Sequence, residues 1–297
     1  MPELPEVETT IKGLQKKVLN RAFVDVWTDW KKTIKKPKSF EEFRKEIKNK
    51  KIKRIWRRAK NVIFDLSGGP ALNRTEGYSL LVHQKMTGHL LVGKWELKND
   101  KWKPVEKGPL EEKINLYIHL MFYLSGGLMM ALSDMRIFAK VELWKTDELK
   151  KELEKLGPEP LEKNFTFGKF RKVLRGKKGK VKQVLMDQNV IAGIGNIYSS
   201  EALWHAKTHP EKNVADLNDK ELKSLYNAIK KVLELGAESG GESFSDYRKP
   251  DGTKGDFDKE RKVYRREGQK CSRCGGKIKR LKVGQRSAFY CPACQKL

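Results

Sequence analysis

The chain has 297 residues and a formal net charge of +26, because 64 Lys and Arg residues face 38 Asp and Glu residues. This length can bury the cores of two domains and a small module, and the positive excess favours a polyanionic partner. No stretch approaches the ~20 continuous apolar residues of a membrane span, and no signal-peptide pattern opens the chain. We therefore expect an intracellular, cytoplasmic protein that does not contact a membrane.

The first six residues, Met1-Pro2-Glu3-Leu4-Pro5-Glu6, suggest an amine nucleophile. Removal of Met1 would leave proline as a secondary amine, and an α-amino group has a pKa near 8, against about 10.4 for lysine. Such an amine can attack an aldehyde-level carbon and form an iminium, a Schiff base that drives eliminations. If Met1 is retained, the proline nitrogen is a tertiary amide and this chemistry is lost.

A helix is predicted directly after this peptide. Pro5 suits a first helical turn, Val7, Ile11 and Leu14 recur at helical spacing, and Glu6 is favoured near the positive end of the helix dipole. Taken alone, Glu3 and Glu6 are better explained as an acidic helix start, and only the rest of the chain overturns that interpretation.

The rest of the first 150 residues reads as a β-rich domain with a second helix. Ser39 caps that helix, with Glu42 three residues on as a capping box. Strands are predicted at 24–27, 62–66, 79–82, 90–92, 117–123, 128–132 and 140–143. The lysine-rich segment 93–113 is predicted to be an extended hairpin or a loop.

The second half is predicted to be helical and to end in a small module. Residues 151–162, with Leu156-Gly157-Pro158-Glu159-Pro160, read as a linker, and a domain at 163–264 carries helices between residues 166 and 238. Asp219 opens the last of these helices, and Gly236 ends its apolar periodicity. We expect the polar, glycine-containing segment 239–262 to be a mobile loop.

The final module, residues 265–297, holds all four cysteines as two Cys-x2-Cys pairs: Cys271 with Cys274, and Cys291 with Cys294. Two such knuckles complete a tetrahedral zinc site. Two disulfides are the alternative, which a reducing compartment disfavours. Four thiolates leave no open coordination position, so we expect one structural Zn²⁺ ion.

Taken in order, these motifs resemble the formamidopyrimidine-DNA glycosylase family, which removes oxidised purines from DNA. Besides Pro-Glu-Leu-Pro-Glu-Val at the N-terminus and the zinc hairpin from Gln285 to Cys291, four internal motifs carry the resemblance. They are Arg57-Arg58-Ala59-Lys60, His83-Gln84-Lys85-Met86-Thr87-Gly88, Asp134-Met135-Arg136-Ile137-Phe138, and the run from Asp187 through Gly193-Ile194-Gly195-Asn196 to Glu201.

The fold that this resemblance implies is α+β and multidomain: a two-sheet β-sandwich with two helices at 1–150, a helix–two-turn–helix domain at 163–264, and a zinc finger hairpin with four cysteine ligands at 265–297. Segment 239–262 would be its lesion-recognition loop.

The resemblance implies a bifunctional DNA glycosylase and AP lyase with three catalytic residues. Pro2 would attack C1′ of a flipped nucleoside, Glu3 would assist sugar ring opening and move protons, and Lys60 would bind phosphate beside the site. Glu6 would hold the N-terminal region. β- and then δ-elimination would cut the strand on both sides.

The resemblance also implies a set of DNA contacts. Met86, Arg136 and Phe138 would fill the void left by the flipped base, with Arg136 on the orphaned cytosine. For Met86 and Phe138, an ordinary place in a strand core is the alternative. Phosphate contacts are expected from Lys60, His83, Asn196 and Arg286, and a further DNA contact from Lys182. The turn at Gly193, Gly195 and Asn196 would bring backbone N–H groups to a phosphate.

Several positions depart from the family pattern: Gln84, Lys85, Met135, Ile137 and Ala139. Segment 93–113 is also longer than expected.

Two other functions stay open at this point. An endonuclease VIII-like enzyme would prefer oxidised pyrimidines, but Leu4 and the Arg136–Phe138 pair argue against it. The second alternative is a non-catalytic zinc-dependent nucleic-acid-binding protein. The presence of Pro2, Glu3 and Lys60 argues against it. We expect a nucleoid-associated monomer that binds damaged double-stranded DNA.

Overall fold

The structure, a computed structural model, describes residues 1–67, 77–243 and 246–297. It divides into two compact units. The first contains residues 1–2, 6–154 and 240–256, and the second contains residues 3–5, 155–239 and 257–297. Residues 244–245 of the predicted lesion-recognition loop lie outside the described residues.

The first unit is mainly β. Its helices are α1 (Leu4–Val18), whose first two residues belong to the second unit, α2 (Phe40–Ile47) and α3 (Thr146–Leu153). Its strands are β1 (Phe23–Thr28), β2 (Ile34–Lys36), β3 (Lys51–Arg58), β4 (Asn61–Ser67), β5 (Tyr78–His83), β6 (His89–Gly93), β7 (Trp95–Lys98), β8 (Lys101–Pro104), β9 (Ile118–Leu124), β10 (Met129–Ser133) and β11 (Lys140–Lys145). All seven predicted strands are confirmed.

These strands form two main sheets and one hairpin. One sheet has the order β1-β9-β10-β6 and is antiparallel throughout. The other has the order β2-β11-β5-β4-β3, in which only the pairing of β2 with β11 is parallel. Strands β7 and β8 form the hairpin that the sequence predicted within segment 93–113.

One hydrophobic core joins the two sheets. Alternate residues face it, for example Val62, Phe64 and Leu66 on β4, because side chains of a strand point to opposite faces. Helix α1 adds Val7, Ile11, Leu14 and Val18 to this core at the predicted helical spacing. Helix α2 is confirmed as well, with Ser39 Oγ accepting from the Glu42 N–H at 3.3 Å.

The β7–β8 hairpin covers the outer face of the four-stranded sheet. Its Trp95 and Trp102 pack on Leu91, Met121 and Ala131, which point away from the main core. An apolar outer face would otherwise be exposed to water, so the hairpin gives this sheet a second buried face.

The second unit consists of short helices followed by a hairpin. Its elements are α4 (Phe167–Leu174), α5 (Val181–Met186), α6 (Asn196–His205), α7 (Asp219–Glu238), α8 (Phe257–Glu260), β12 (Lys279–Val283) and β13 (Arg286–Tyr290). Asn218 caps α7 in a reciprocal capping box with Glu221. Between α5 and α6 the chain makes two tight turns. Gln188 fixes them by accepting from the Gly193 N–H and donating to the Ile194 carbonyl, both at 2.9 Å.

Segment 239–262 is more ordered than the expected mobile loop over its described residues. It includes helix α8, and Glu242, Ser243, Tyr247 and Arg248 are all buried. The sequence suggested mobility because the segment is polar and rich in glycine, whereas its polar groups are used in hydrogen bonds. In the described part of the chain, no helix has the length and apolar character needed to cross a membrane.

Candidate active site and DNA interface

Glu3 caps the N-terminus of helix α6. Its side chain is 3% exposed, and its carboxylate accepts hydrogen bonds from the N–H groups of Gly195 at 2.8 Å, Ile197 at 2.9 Å and Tyr198 at 3.3 Å. A carboxylate is favoured there because the first N–H groups of a helix lack intrahelical acceptors and carry the positive end of the dipole. Pro2, the residue before it, is buried. Glu3 therefore fixes the backbone next to the predicted nucleophile.

The contact of Glu3 with this turn requires glycine at position 195. A Cβ atom built there would lie 2.4 Å from Glu3 Cδ, far inside van der Waals contact. Gly193 is needed for a second reason, since its φ of +88° is a left-handed conformation that other residues rarely adopt. The sequence predicted a tight turn whose N–H groups would bind a phosphate. The tight turn is present, but the N–H groups of Gly195, Ile197 and Tyr198 bind the Glu3 carboxylate instead.

Glu6 anchors the other end of the N-terminal peptide. Its Oε1 accepts from the Glu242 N–H at 2.7 Å, and its backbone carbonyl accepts from the Tyr247 hydroxyl at 3.0 Å. Burial raises the pKa of Tyr247, which keeps this hydroxyl protonated as a donor. Glu6 thus ties α1 to Glu242 and Tyr247, and sequence reasoning missed both of these partners.

Lys60 and His83 lie at one end of the five-stranded sheet. Lys60 is buried just before β4, whose Asn61 pairs with His83, and Lys140 of β11 pairs with His83 from the other side. Burial lowers the pKa of His83 to about 3, assisted by the positive charges of Lys85, Lys60 and Lys140. His83 is therefore neutral at pH 7, and this cluster of cations is suited to an anionic ligand.

The geometry also fixes which nitrogen of His83 can donate. The Lys85 N–H donates to His83 Nδ1 at 3.0 Å, so Nδ1 is the acceptor of the neutral ring. The remaining proton is then on Nε2, as required for a hydrogen bond to a phosphate oxygen.

Two turns present the predicted void-filling residues, and Asp134 holds both. This buried carboxylate accepts from Thr87 Oγ1 in the first turn, and from the Arg136 N–H at 3.3 Å and the Ala139 N–H at 2.7 Å in the second. Phe138 is 51% exposed, so a strand-core position is excluded for it. The Arg136 guanidinium lies 4.7 Å from the centre of its ring. Met86 is half-buried in the first turn.

Lys182 occupies a different environment from the other predicted DNA contacts. It is 1% exposed, and its Nζ donates to the Asn196 carbonyl at 3.2 Å, Ser199 Oγ at 2.9 Å and Ser200 Oγ at 2.7 Å. Burial lowers its pKa to about 7, against the opposing effect of Glu3 and Glu201. Lys182 supports the first turn of α6, where Asn196 is half-buried.

The four cysteine sulfurs converge at the C-terminus. They lie within 4.8 Å of one another, with Cys271 to Cys294 at 4.0 Å and Cys274 to Cys291 at 3.5 Å. Zn–S bonds of about 2.3 Å in a tetrahedron place sulfurs about 3.8 Å apart, so the set fits one Zn²⁺ ion. Arg286 is exposed at the start of β13, next to the hairpin turn.

Glu201 joins this zinc module to the helices, a role that sequence reasoning missed. Its buried carboxylate accepts from the N–H groups of Lys262 at 2.8 Å, Val263 at 3.0 Å and Tyr264 at 2.7 Å. Burial raises the pKa of Glu201. Glu201 is the one acidic residue of α6 and is followed by Ala202, Leu203 and Trp204, which is the signal that could have identified it.

Family models match the chain in three consecutive parts. They are the formamidopyrimidine-DNA glycosylase N-terminal domain at residues 1–141, the formamidopyrimidine-DNA glycosylase H2TH domain at 156–248, and a zinc finger found in FPG and IleRS at 268–297.

Relatives match over the full length. The formamidopyrimidine-DNA glycosylase of Pelotomaculum thermopropionicum is 38% identical and covers 100% of both chains. That of Ligilactobacillus salivarius is 37% identical and covers 99% of both. Among solved structures, Lactococcus lactis Fpg in complex with DNA containing N7-benzyl-Fapy-dG is 32% identical, with a TM-score of 0.84 and 100% of both chains covered. The same protein with DNA containing an abasic site also gives a TM-score of 0.84 at 32% identity, with 99% of this chain and 100% of that chain covered.

Fold and site together define a zinc-finger DNA-repair glycosylase, built from a β domain, a helix–two-turn–helix region and a four-cysteine hairpin. The chain belongs to the formamidopyrimidine-DNA glycosylase family. The four cysteines form its structural zinc site.

Proposed function

We propose that this protein excises oxidised purines, such as 8-oxoguanine and formamidopyrimidines, from duplex DNA and then cuts the abasic strand, with the N-terminal amine of Pro2 as nucleophile. Met1 is removed in the active form. The observation that carries this assignment is the double anchoring of the peptide that begins with Pro2, by Glu3 on the N-terminus of α6 and by Glu6 on the Glu242 N–H. A nucleophile gains from such fixed positioning because attack requires a defined geometry.

The chemistry proceeds through an iminium. The Pro2 nitrogen bonds to C1′ as the bond to the base breaks, and the base leaves with a proton. Glu3 assists opening of the sugar ring, which converts the adduct to an iminium. Loss of a C2′ proton then expels the 3′ phosphate, a second elimination expels the 5′ phosphate, and water releases the sugar fragment from Pro2.

The other predicted residues divide into phosphate contacts and void-filling contacts. Lys60, His83, Asn196 and Arg286 bind the backbone around the lesion, while Met86, Arg136 and Phe138 occupy the space of the flipped nucleotide. The exposure of Phe138 and Arg136 supports this division. Lys182 contributes by supporting the backbone of Asn196, whose carbonyl accepts from Lys182 Nζ.

The proposal extends to domain limits and cellular setting. The N-terminal catalytic domain comprises residues 1–150, the linker 151–162, the helix–two-turn–helix domain 163–264 and the zinc finger 265–297. Segment 239–262 faces the flipped base. The protein acts as a monomer in the cytoplasm, associated with the nucleoid and not with a membrane. Its net charge of +26 favours binding to damaged double-stranded DNA.

Borohydride trapping tests the nucleophile directly. Reduction should join the protein covalently to DNA that contains 8-oxoguanine opposite cytosine or an abasic site, because only an amine nucleophile yields a reducible iminium. Peptide mapping should place the crosslink on Pro2, and a preparation that retains Met1 is the matched control and should give none. A crosslink on Lys60, or none after verified Met1 removal, would contradict the proposal.

Two substitutions separate the roles. Glu3→Gln should impair base release more than strand cleavage at a preformed abasic site, where no base remains to be expelled. Lys60→Ala should leave trapping on abasic DNA detectable, since Lys60 binds phosphate and does not attack C1′. Equal loss of base release and strand cleavage in Glu3→Gln would show that Glu3 has no specific role in base release.

A further inference from the structure

Residues 108–116, which we call the brace, lie mostly within the segment that is longer than the family pattern. They follow the β7–β8 hairpin and form two short 3-10 turns, Pro109–Glu111 and Lys113–Leu116. The brace contacts segment 240–256 in the same unit through side chains and backbone.

Glu112 makes the central contact of the brace. Its two carboxylate oxygens accept from Arg248 Nε at 2.7 Å and Arg248 Nη2 at 2.6 Å, and Lys254 Nζ lies 3.3 Å away. The Arg248 side chain is only 5% exposed and also donates to the Tyr247 carbonyl at 2.7 Å. Two parallel charge-assisted hydrogen bonds fix both position and orientation of a guanidinium.

Asn115 makes a second contact, to the backbone. This fully buried side chain donates to the Gly252 carbonyl at 3.2 Å and to the Pro109 carbonyl at 2.8 Å, while its Oδ1 lies 2.9 Å from His89 Nε2. Gly252 approaches so closely that a Cβ atom would lie 2.8 Å from the Pro109 carbonyl carbon. The N–H of Val92 adds a bond to the Pro250 carbonyl at 2.7 Å.

The described residues of segment 240–256 are therefore held from two directions. Glu6 binds its beginning at Glu242, and the brace binds the part from Arg248 to Gly252. The first contact comes from the peptide that carries Pro2, whereas the brace contacts at Arg248 and Gly252 do not involve that peptide.

We propose that the brace supports base excision: Glu112 and Asn115 hold residues 246–256 in the conformation that receives an oxidised purine. This inference rests on the proposed function, in which that segment faces the flipped base. Strand cleavage at an abasic site involves no base and should not depend on the brace.

The test compares two reactions in Glu112→Gln. Excision of 8-oxoguanine opposite cytosine, measured at single turnover, should slow by roughly 10–100-fold, because small displacements of positioning groups have effects of this size. Cleavage of a preformed abasic site should keep its rate, with both rates normalised to the fraction of enzyme that borohydride traps. Glu106→Gln removes an equal charge from an exposed position of segment 93–113, outside the brace, and should change neither rate.

Glu112→Asp provides the conservative variant. It keeps the charge with a shorter side chain, so its excision rate should lie between those of the wild type and Glu112→Gln. If Glu112→Gln does not fold, this variant carries the same comparison. Unchanged excision, or an equal fall of excision and cleavage, would overturn the role of the brace, whereas absence of trapping in the wild type would overturn the proposed function instead.

Discussion

Glu3 and Ile197 are joined by a hydrogen bond of 2.9 Å from the Ile197 N–H to Glu3 Oε1, across 194 residues of sequence. The other oxygen, Oε2, accepts from the Gly195 and Tyr198 N–H groups. The N-terminal peptide is thus bound at the positive end of a helix. Because Pro2 precedes Glu3 directly, these hydrogen bonds also limit the movement of the proposed nucleophile.

Gly195→Ala tests this dependence without removing a catalytic group. The added Cβ would lie 2.4 Å from Glu3 Cδ, so the carboxylate must shift. We expect single-turnover excision of 8-oxoguanine to fall by about 100-fold. Gly168→Ala is the matched control, because the nearest atom to its Cβ lies 3.9 Å away. A Gly195→Ala variant with normal excision would show that Glu3 tolerates displacement.

Phe138→Ala should weaken recognition of the lesion without affecting stability. Phe138 is 51% exposed, so its removal leaves no core cavity, but a void-filling ring would lose its stacking with neighbouring bases, worth about 1–3 kcal/mol. Met135→Ala, in the same turn and 44% exposed, is the control. Binding to lesion duplex by fluorescence anisotropy checks both. Equal effects of the two substitutions on affinity would show that Phe138 does not stack on the neighbouring bases.

Local patterns predicted the fold well, whereas long-range partners escaped sequence reasoning. The strand β4 alternates its buried residues, and α1 repeats them at helical spacing, so each can be predicted from its own residues. Strand β3 was not predicted as a separate run, because it is mostly Lys and Arg and a bulge between Ile52 and Arg54 breaks its alternation.

The candidate site shows the same division. The family resemblance identified Pro2 and Phe138 as candidate site residues, and the spacing of the cysteines predicted the metal site. Local patterns could not predict that Glu3 caps α6 or that Arg248 pairs with Glu112. Glu3 and Gly195 are 192 residues apart in the sequence, and Glu112 and Arg248 are 136 residues apart. Such contacts depend on how the chain folds back on itself, which a single sequence does not reveal.

The low pKa of His83 predicts a pH-dependent contribution to stability. Its pKa is about 3 in the folded protein against about 6.5 when unfolded. The unfolded state therefore binds the proton first, and the stability contributed by the neutral ring is present above pH 6.5 and lost as pH falls toward 3. The free energy of unfolding of the wild type should fall by roughly 1–2 kcal/mol relative to His83→Asn between pH 7.5 and pH 5. Urea unfolding at each pH measures the difference in free energy of unfolding between the two proteins. If this difference were the same at pH 7.5 and pH 5, His83 would not be a neutral buried ring in the folded protein.

Arg286→Ala should reduce the salt dependence of DNA binding. Each phosphate contact contributes a slope of about −0.9 in log K against log salt, so loss of one contact should flatten the slope by about one unit. Lys282→Ala, an exposed cation on strand β12 of the same hairpin, is the control and should leave the slope unchanged. Equal slopes for wild type and Arg286→Ala would show that Arg286 does not contact phosphate.

The zinc module should be required for DNA binding but not for the chemistry at Pro2. Its four thiolates fill the metal's coordination sphere, and the module presents Arg286 next to the hairpin turn. Cys291→Ser should therefore lose the bound zinc, measured as metal per chain, and abolish binding to lesion duplex. Ser272→Ala is the matched control, because Ser272 is an exposed residue between the ligands Cys271 and Cys274. The sandwich core is separate from the cysteines, so near-native far-UV circular dichroism should accompany the loss of binding in Cys291→Ser. Near-normal affinity of a zinc-free Cys291→Ser variant would show that the hairpin does not hold the DNA.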